Sequence, residues 1–355
     1  MYSTNLGQPV PPVPDVPAAA VAATAAVTNA AVTAAVTAAV PTGAVPTGVR
    51  RGLLRDLVAL ARPAQWPKNL LVVPLALIDA PGIGLGALAR MGLAVVLFTL
   101  LSAFVYVWND IADRHRDRLH PVKRNRPIAA GRVGVGPARA YALGLVVLVA
   151  VLLAVGPAMS WWPLFGYLAL NLSYVRWLKH LPLLDVFAVA AGFVLRVVQG
   201  YLAVPARASV WLLACVFTLC LLLAAGKRRH EMAVGGSAHR PSLAGYTTQY
   251  LDYLIILYAT LTVTVFLLYL VNGGFAAPYT DASLLVSLPC AIFAVARHLH
   301  VVVVGKGGGD PVRLLLRDRA MVVNTLVWAG GLAVILVAAR FPALVEFAGQ
   351  LLEGR

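Results

Sequence analysis

Negative charge is scarce in this chain. Fourteen Asp and Glu stand against 29 Lys and Arg in 355 residues, and charged residues of both signs make up only 12% of the sequence. With 60% hydrophobic residues beside so little charge, an ordinary soluble globular protein is excluded. Cysteine is nearly absent. Cys215, Cys220 and Cys290 all fall in apolar stretches without metal-ligand spacing, so they read as packing residues and no disulfide framework is expected. The histidines (His115, His120, His180, His230, His239, His298 and His300) form no metal-ligand array, and none is assigned as a catalytic base. Ser–His–Asp, P-loop and dinucleotide fingerprints are also missing. No Lys or Arg precedes Arg50, so the N-terminus lacks the charged n-region of a signal peptide.

What is present is a series of apolar blocks long enough to span a bilayer. Nine candidate spans can be drawn, at roughly 68–88, 91–108, 138–155, 159–176, 183–203, 209–226, 251–270, 281–303 and 320–339. Asp79, Pro81 and three glycines interrupt the first. The expected fold is therefore an all-α polytopic membrane protein. Residues 1–48 are rich in Pro, Ala, Val and Thr, with AAVTAAVTAAV at 30–40, and read as a disordered cytoplasmic tail rather than a tenth span. A membrane domain over 49–340 and a short C-terminal tail over 341–355 complete the chain.

The net charge of +15 invites a nucleic-acid reading, but its placement argues against one. All Lys and Arg except Arg90, Arg196, Arg207, Arg340 and Arg355 lie before the first span, in the loops that join even to odd spans, or towards the span ends on that same side. This positive-inside asymmetry predicts that the N-terminus and the long loops 109–137, 227–250 and 304–319 are cytoplasmic. Loops of that size, charged and gathered on one face, are where chemistry is expected.

Three of the scarce acids are concentrated at the end of the second span. In Asn109-Asp110-Ile111-Ala112-Asp113-Arg114-His115-Arg116-Asp117 the carboxylates stand at i, i+3 and i+7, on one face of a helix. Six cations surround or follow them: Arg114, Arg116, Arg118, Lys123, Arg124 and Arg126. Stacked carboxylates ringed by cations at a membrane surface suit a hard metal ion carrying a phosphorylated ligand. The plain alternative is a solvated helix end, with Arg114 and Arg116 paired to the acids.

The stretch NDIADRHRD, followed by HPVKRNRPIAAG, resembles the first Asp-rich motif of the UbiA-type membrane prenyltransferases. Three further segments look like the decaprenyl-phosphate phosphoribosyltransferase branch of that superfamily. They are Arg62-Pro63-Ala64-Gln65-Trp66-Pro67-Lys68-Asn69, Leu184-Asp185-Val186 through Gly192-Phe193-Val194-Leu195-Arg196, and Gly226-Lys227-Arg228-Arg229-His230-Glu231. The resemblance covers about residues 50–340. It implies a bundle of nine membrane helices with a cytoplasmic Mg²⁺-diphosphate site, in the plasma membrane. Its donor would be phosphoribosyl diphosphate, its acceptor a polyprenyl phosphate (decaprenyl phosphate by resemblance), and its product would feed cell-wall arabinan synthesis. Asn109, Asp110, Asp113 and Asp117 would be the metal ligands, and Asp110, Asp113, Asp117 and Lys123 the catalytic set. Lys68, Asn69, Asn109, Arg126, Tyr174, Lys179, Asp185, Arg196, Lys227, Arg228 and Glu231 would bind substrate.

One departure from the superfamily pattern matters. A typical UbiA enzyme carries a second Asp-rich motif after the sixth span. Here that region offers Glu231 and then only Asp252, against Lys227, Arg228, Arg229 and Arg240. Fewer acids and more cations favour a donor with an additional phosphate, which Lys or Arg would clamp. Any of these cations has a topogenic reading too, and Lys68 a snorkelling one. Arg196 lies inside a span, where an unpartnered cation costs at least about 2.5 kcal/mol. Asp185 is on nearly the same face but about 16 Å away along the axis, too far to pair. With Gly192 and Gly200 at i−4 and i+4, Arg196 is expected to line a ligand cavity, a structural hydrogen-bonding role being the alternative. Two rival functions stay open: prenyl transfer to an aromatic acceptor, and transport, although no repeat between halves is evident.

Overall fold

The structure is a computed structural model that describes residues 52–72, 84–120, 122–204, 206–235, 241–272, 279–305, 309 and 317–340. The expectations for residues 1–48 and 341–355, and for most of the loop 304–319, lie outside these described residues. All regular structure among the described residues is helical. We number the α-helices in chain order: α1 Leu53–Ala61, α2 Leu85–Ala112, α3 Arg114–Leu119, α4 Val135–Val155, α5 Trp162–Arg176, α6 Leu184–Leu202, α7 Val210–Gly235, α8 Thr248–Val271, α9 Thr280–Leu299 and α10 Arg319–Arg340. Short 3₁₀ segments occur at Pro63–Val72, Lys123–Asn125, Leu178–His180 and Pro241–Gly245, and a π turn at His300–Val304 continues α9.

Seven of these helices are long and apolar enough to cross a membrane: α2, α4, α6, α7, α8, α9 with its π turn, and α10. The expected count of nine is not reached among the described residues, for two reasons. The span expected at 159–176 is the 15-residue α5, about 22 Å long and short of a hydrocarbon core of about 30 Å. The span expected at 68–88 begins as a 3₁₀ helix containing Pro67, and its middle, 73–83, is outside the described residues. The other expected spans match helices to within a few residues, except that α7 runs on through Gly235. Lys227 to Glu231 therefore lie on a helix rather than in a loop.

The membrane helices are apolar on their outer as well as their inner faces. Val147 and Val151 of α4, Ile256 of α8, and Val323 and Val334 of α10 are all exposed, as expected where the surrounding solvent is hydrocarbon. Inside, α6, α7 and α8 close on one core of Val186, Leu222, Leu251, Ile255 and Tyr258, roofed by Leu243 and Tyr246 from the segment before α8. A second core joins α2, α4 and α5 through Leu97, Phe98, Val149 and Leu164. A third ties α1 to the ends of α2 and α4 through Leu60, Ile111, Ile128 and Ala138.

Length positions the site. At 28 and 26 residues, α2 and α7 extend about 42 and 39 Å, beyond a bilayer core of about 30 Å. Asn109–Asp110 occupy the last turn of α2, and Lys227–Glu231 lie in the last three turns of α7. Both helices thus carry polar chemistry past the apolar slab. The 3₁₀ helix Pro63–Val72 enters the bundle against α6, where a Cβ on Gly200 would stand 2.0 Å from the Val72 carbonyl oxygen. Only glycine allows that approach.

Candidate active site

The acidic cluster lies where α2 breaks into α3. Asp113 is the hinge residue, with φ −90° and ψ 3°, and the helical ladder continues across it through the Asp117 N–H to the Asp113 carbonyl at 2.8 Å. Asp110 and Asp117 are both buried and point to one place. A single nitrogen, Nη1 of Arg126, donates to Asp110 Oδ1 at 3.1 Å and to Asp117 Oδ2 at 2.7 Å. Arg62 Nη2 donates to the same Asp110 Oδ1 at 2.5 Å, and its guanidinium lies 4.7 Å above the Tyr106 ring. Asp113 turns instead to Lys179, whose Nζ donates to both of its carboxylate oxygens at 2.8 and 3.0 Å. The shared face expected for three carboxylates thus holds Asp110 and Asp117 only, because the break at Asp113 rotates its side chain towards the Leu178–His180 turn. Beside Lys179, burial and then the charges of Lys179 and Arg116 push the His180 imidazole below its ordinary pKa, leaving Lys179 as the cation facing Asp113.

The partners of these acids come from afar. Arg114, a neighbour weighed as a partner, donates to the Ile111 carbonyl at 3.0 Å. The cations on the carboxylates are Arg62, Arg126 and Lys179. Arg62 was not among the expected site residues. Its signal was its place immediately before Pro63, which disfavours further helix. Arg62 ends α1 in the left-handed region at φ 51°, a conformation that a non-glycine residue holds only where its surroundings fix it. Asn109 is half-buried, and its carbonyl accepts from the Asp113 N–H at 2.8 Å. Lys123 is also half-buried, on the 3₁₀ turn that leads into Arg126.

A second ionic cluster lies at the start of α6. Asp185 is fully buried and accepts three hydrogen bonds: from Arg228 Nε at 2.6 Å, Ser242 Oγ at 3.0 Å and Tyr246 OH at 2.8 Å. Arg228, 3% exposed, also donates from Nη1 to Glu231 Oε2 at 2.9 Å. The Tyr246 hydroxyl accepts from the Leu183 N–H at 2.6 Å, which fixes Leu183 at φ 65° as the first residue before α6. Burial, reinforced by the Asp185 charge, holds the Tyr246 hydroxyl well above the ordinary phenol pKa although the Leu183 N–H opposes it, so it stays a donor. Ser242 and Tyr246 were not expected here; nothing in their spacing from Asp185 announced the contact. The two clusters are joined through the chain by the short segment from Lys179 to Asp185. Tyr174, in the last turn of α5, lies close enough to influence Arg228 electrostatically.

Several residues expected at the substrate are committed elsewhere. Arg196 is 6% exposed; its Nε donates to Asn69 Oδ1 at 2.9 Å, Nη1 to the Gly192 carbonyl at 2.8 Å and Nη2 to Tyr167 OH at 3.0 Å. The Tyr167, Phe193 and Phe98 rings lie 4.6, 5.0 and 5.7 Å from its guanidinium carbon. The space beside Gly192 is taken by Arg196 itself and Tyr167, and that beside Gly200 by Val72. Protein acceptors and ring faces thus satisfy the Arg196 cation, the arrangement expected of the structural hydrogen-bonding alternative. Asn69 belongs to the same knot, 1% exposed and donating from Nδ2 to Thr99 Oγ1 at 3.2 Å; it pins the 3₁₀ helix to α2 and α6. Asp185 and Arg228 likewise spend their polar atoms on each other and on their neighbours. Lys68 is half-buried and Lys227 exposed. Asp252, the remaining acid after α7, pairs with Arg229, whose Nη1 also holds the Val302 carbonyl at 2.9 Å.

The sequence and the fold of this chain have known relatives. The model of the UbiA prenyltransferase family matches residues 71–302. The chain belongs to the UbiA prenyltransferase family. Among UbiA relatives, the decaprenyl-phosphate phosphoribosyltransferase of Mycolicibacterium smegmatis is 34% identical over 304 residues, covering 79% of this chain and 92% of the relative. That of Corynebacterium glutamicum is 33% identical over 288 residues, covering 78% and 86%. A UbiA homolog from Archaeoglobus fulgidus, solved bound to GPP and Mg²⁺, superposes with a TM-score of 0.62 at 19% identity, over 79% of this chain and 99% of that one. The expected UbiA fold is thereby shown, with the family model matching residues 71–302.

The chemistry of the α2–α3 cluster fits a divalent cation. Asp110 and Asp117 present hard oxygen donors to one cationic position, at which Arg126 Nη1 is the stand-in. Among the described residues no three acidic, His or Cys side chains converge on a single point, because Asp113 is held by Lys179. α5, α6 and α7 together form a shallow, open apolar groove, lined by Gly166, Leu170, Val194, Leu195 and Phe217 among others.

Proposed function

We propose that the protein transfers the 5-phosphoribosyl group of phosphoribosyl diphosphate to the phosphate of a polyprenyl phosphate, decaprenyl phosphate by similarity, with release of diphosphate and dependence on Mg²⁺. The observation that carries this reading is the make-up of the last turns of α7, where a second acidic motif is replaced by cations. Lys227, Arg228 and Arg229 stand there, while Glu231 and Asp252 are each paired to an arginine. Arg228 and Arg229 hold those acids, so no second acidic pair is offered to a metal, and the exposed Lys227 is the cation we assign to phosphate. The names of the relatives, which span most of the chain, support the same transferred group and acceptor.

Asn109, Asp110, Asp113 and Asp117 would hold the metal, which when bound supplies positive charge against the donor diphosphate. Arg62, Arg126, Lys123 and Lys179 set further positive charge around the leaving group, which stabilises it as the ribosyl C1–O bond opens. A phosphate oxygen of the lipid bonds to C1 from the opposite face as the diphosphate departs with the electron pair. The lipid phosphate is already anionic at neutral pH, so no side chain must remove a proton, in keeping with the absence of an assigned histidine base. Lys227, exposed on α7, is assigned to the donor 5-phosphate or the lipid phosphate. The open apolar groove along α5, α6 and α7 supports a lipid acceptor, whose chain stays in hydrocarbon while its head reaches the site. We further place the N-terminus and the site on the cytoplasmic face of the plasma membrane, from the distribution of Lys and Arg, and the product in cell-wall arabinan synthesis. Purified protein given labelled phosphoribosyl diphosphate, Mg²⁺ and polyprenyl phosphate is expected to form a labelled lipid. Prenylation of an aromatic acid instead, or no transfer, would overturn the proposal.

A further inference from the structure

Each carboxylate of the α2–α3 cluster is already neutralised by a cation of the protein. Arg126 Nη1 bridges Asp110 and Asp117, Arg62 adds a second contact to Asp110, and Lys179 holds both oxygens of Asp113. Three negative and three positive side chains cancel. A divalent metal arriving alone must displace these cations from the oxygens it needs. Lys179 is largely buried, and Arg62 and Arg126 are three-quarters buried. A displaced cation that finds no new partner there is left unpaired and partly desolvated, which is costly. A diphosphate arriving with the metal removes that cost, because its oxygens accept the guanidinium and ammonium donors that the carboxylates release.

We propose that the cluster works by this exchange: Arg62, Arg126 and Lys179 are placeholders that pass from carboxylate to phosphate as the metal takes the carboxylates, so metal and diphosphate bind well only together. The inference rests on the metal–diphosphate reading of the site and deepens it, since it makes the donor's own phosphates the condition for loading the metal. The energetic coupling is reciprocal, so the metal must improve diphosphate binding by the same factor as diphosphate improves that of the metal. The device also keeps the carboxylates from being filled by divalent cation when no donor is present.

The test uses Mn²⁺ and labelled inorganic diphosphate on the purified full-length protein. Mn²⁺ binding alone is followed by the loss of the free-ion paramagnetic resonance signal, and diphosphate binding is followed by equilibrium dialysis over a range of free Mn²⁺. Binding of each is expected to strengthen by about fivefold or more in the presence of the other. Arg126→Gln is the diagnostic variant. It is expected to bind Mn²⁺ alone more tightly than the parent while losing most of the mutual enhancement, whereas loss of a purely structural arginine would weaken both. Lys179→Gln, which frees Asp113, is expected to act in the same direction and serves if Arg126→Gln does not fold. Independent binding of Mn²⁺ and diphosphate, or weaker Mn²⁺ binding in these variants, overturns the exchange while leaving the proposed reaction standing. Failure of both probes to bind at any concentration overturns the metal–diphosphate reading itself.

Discussion

Asp185→Asn should destabilise the protein far more than the change of one atom suggests, and a double-variant cycle with Arg228 should reveal why. Asp185 and Arg228 are 0% and 3% exposed as side chains and 2.6 Å apart, so solvent does little to screen their attraction. Removing one member of such a buried pair costs about 3–5 kcal/mol, because the other charge is left uncompensated. Two features place the loss at the low end. Glu231, itself 21% exposed, remains 2.9 Å from the Arg228 Nη1, and an asparagine oxygen still accepts from Ser242 or Tyr246. A loss of about 3 kcal/mol is therefore expected for Asp185→Asn, and a similar one for Arg228→Met, which strands the carboxylate with two neutral donors. The double variant buries neither charge alone, so its loss should fall short of the sum by at least about 1.5 kcal/mol. Denaturant titration of the three variants and the parent in mixed micelles measures each term. Losses that add to within about 0.5 kcal/mol would refute the reasoning, since independent sites add and a coupled buried pair does not.

Three further outcomes are expected. Asp113→Asn should abolish transfer while the protein still inserts and folds, because Asp113 is at the helix break outside the apolar cores; near-normal turnover would remove it from the metal set. Lys227→Ala should raise the KM for phosphoribosyl diphosphate with kcat little changed if the exposed ammonium clamps the 5-phosphate; a raised KM for the lipid alone would assign it to the acceptor. Arg196→Met should lower thermal stability, by releasing Asn69 and Tyr167, yet leave the KM values of the surviving protein within about twofold of the parent. A large KM change would restore Arg196 to the cavity.

The apolar blocks made α2, α4, α6, α7, α8, α9 and α10 legible to within a few residues, because in hydrocarbon a backbone has no partner but its own helix. Length was less legible. Trp161-Trp162-Pro163 starts α5 late and Trp177 closes it, and the cations after Gly226 do not end α7 because Lys, Arg and Glu are good helix formers. The Asp cluster could be read because its spacing is local. Its partners could not: Arg62 and Asp110 are separated by 48 positions, Lys179 and Asp113 by 66. The same distance hid the Asp185–Arg228–Tyr246 network. A charged residue at a substrate and one that holds two helices together look alike in sequence; Arg196, Arg228 and Asn69 make contacts of the second kind. Burial and the number of committed donors separate the two kinds.

The central claim is that the site takes a phosphoribosyl rather than a prenyl group. The most direct measurement offers the purified protein both donors at equal concentration, labelled phosphoribosyl diphosphate and labelled prenyl diphosphate, with Mg²⁺, polyprenyl phosphate and an aromatic acid present. The account predicts label from phosphoribosyl diphosphate in a polyprenyl-phosphate lipid, dependent on Mg²⁺ and lost with Asp113→Asn. Label from the prenyl donor in the aromatic acid, with none from phosphoribosyl diphosphate in lipid, would contradict it.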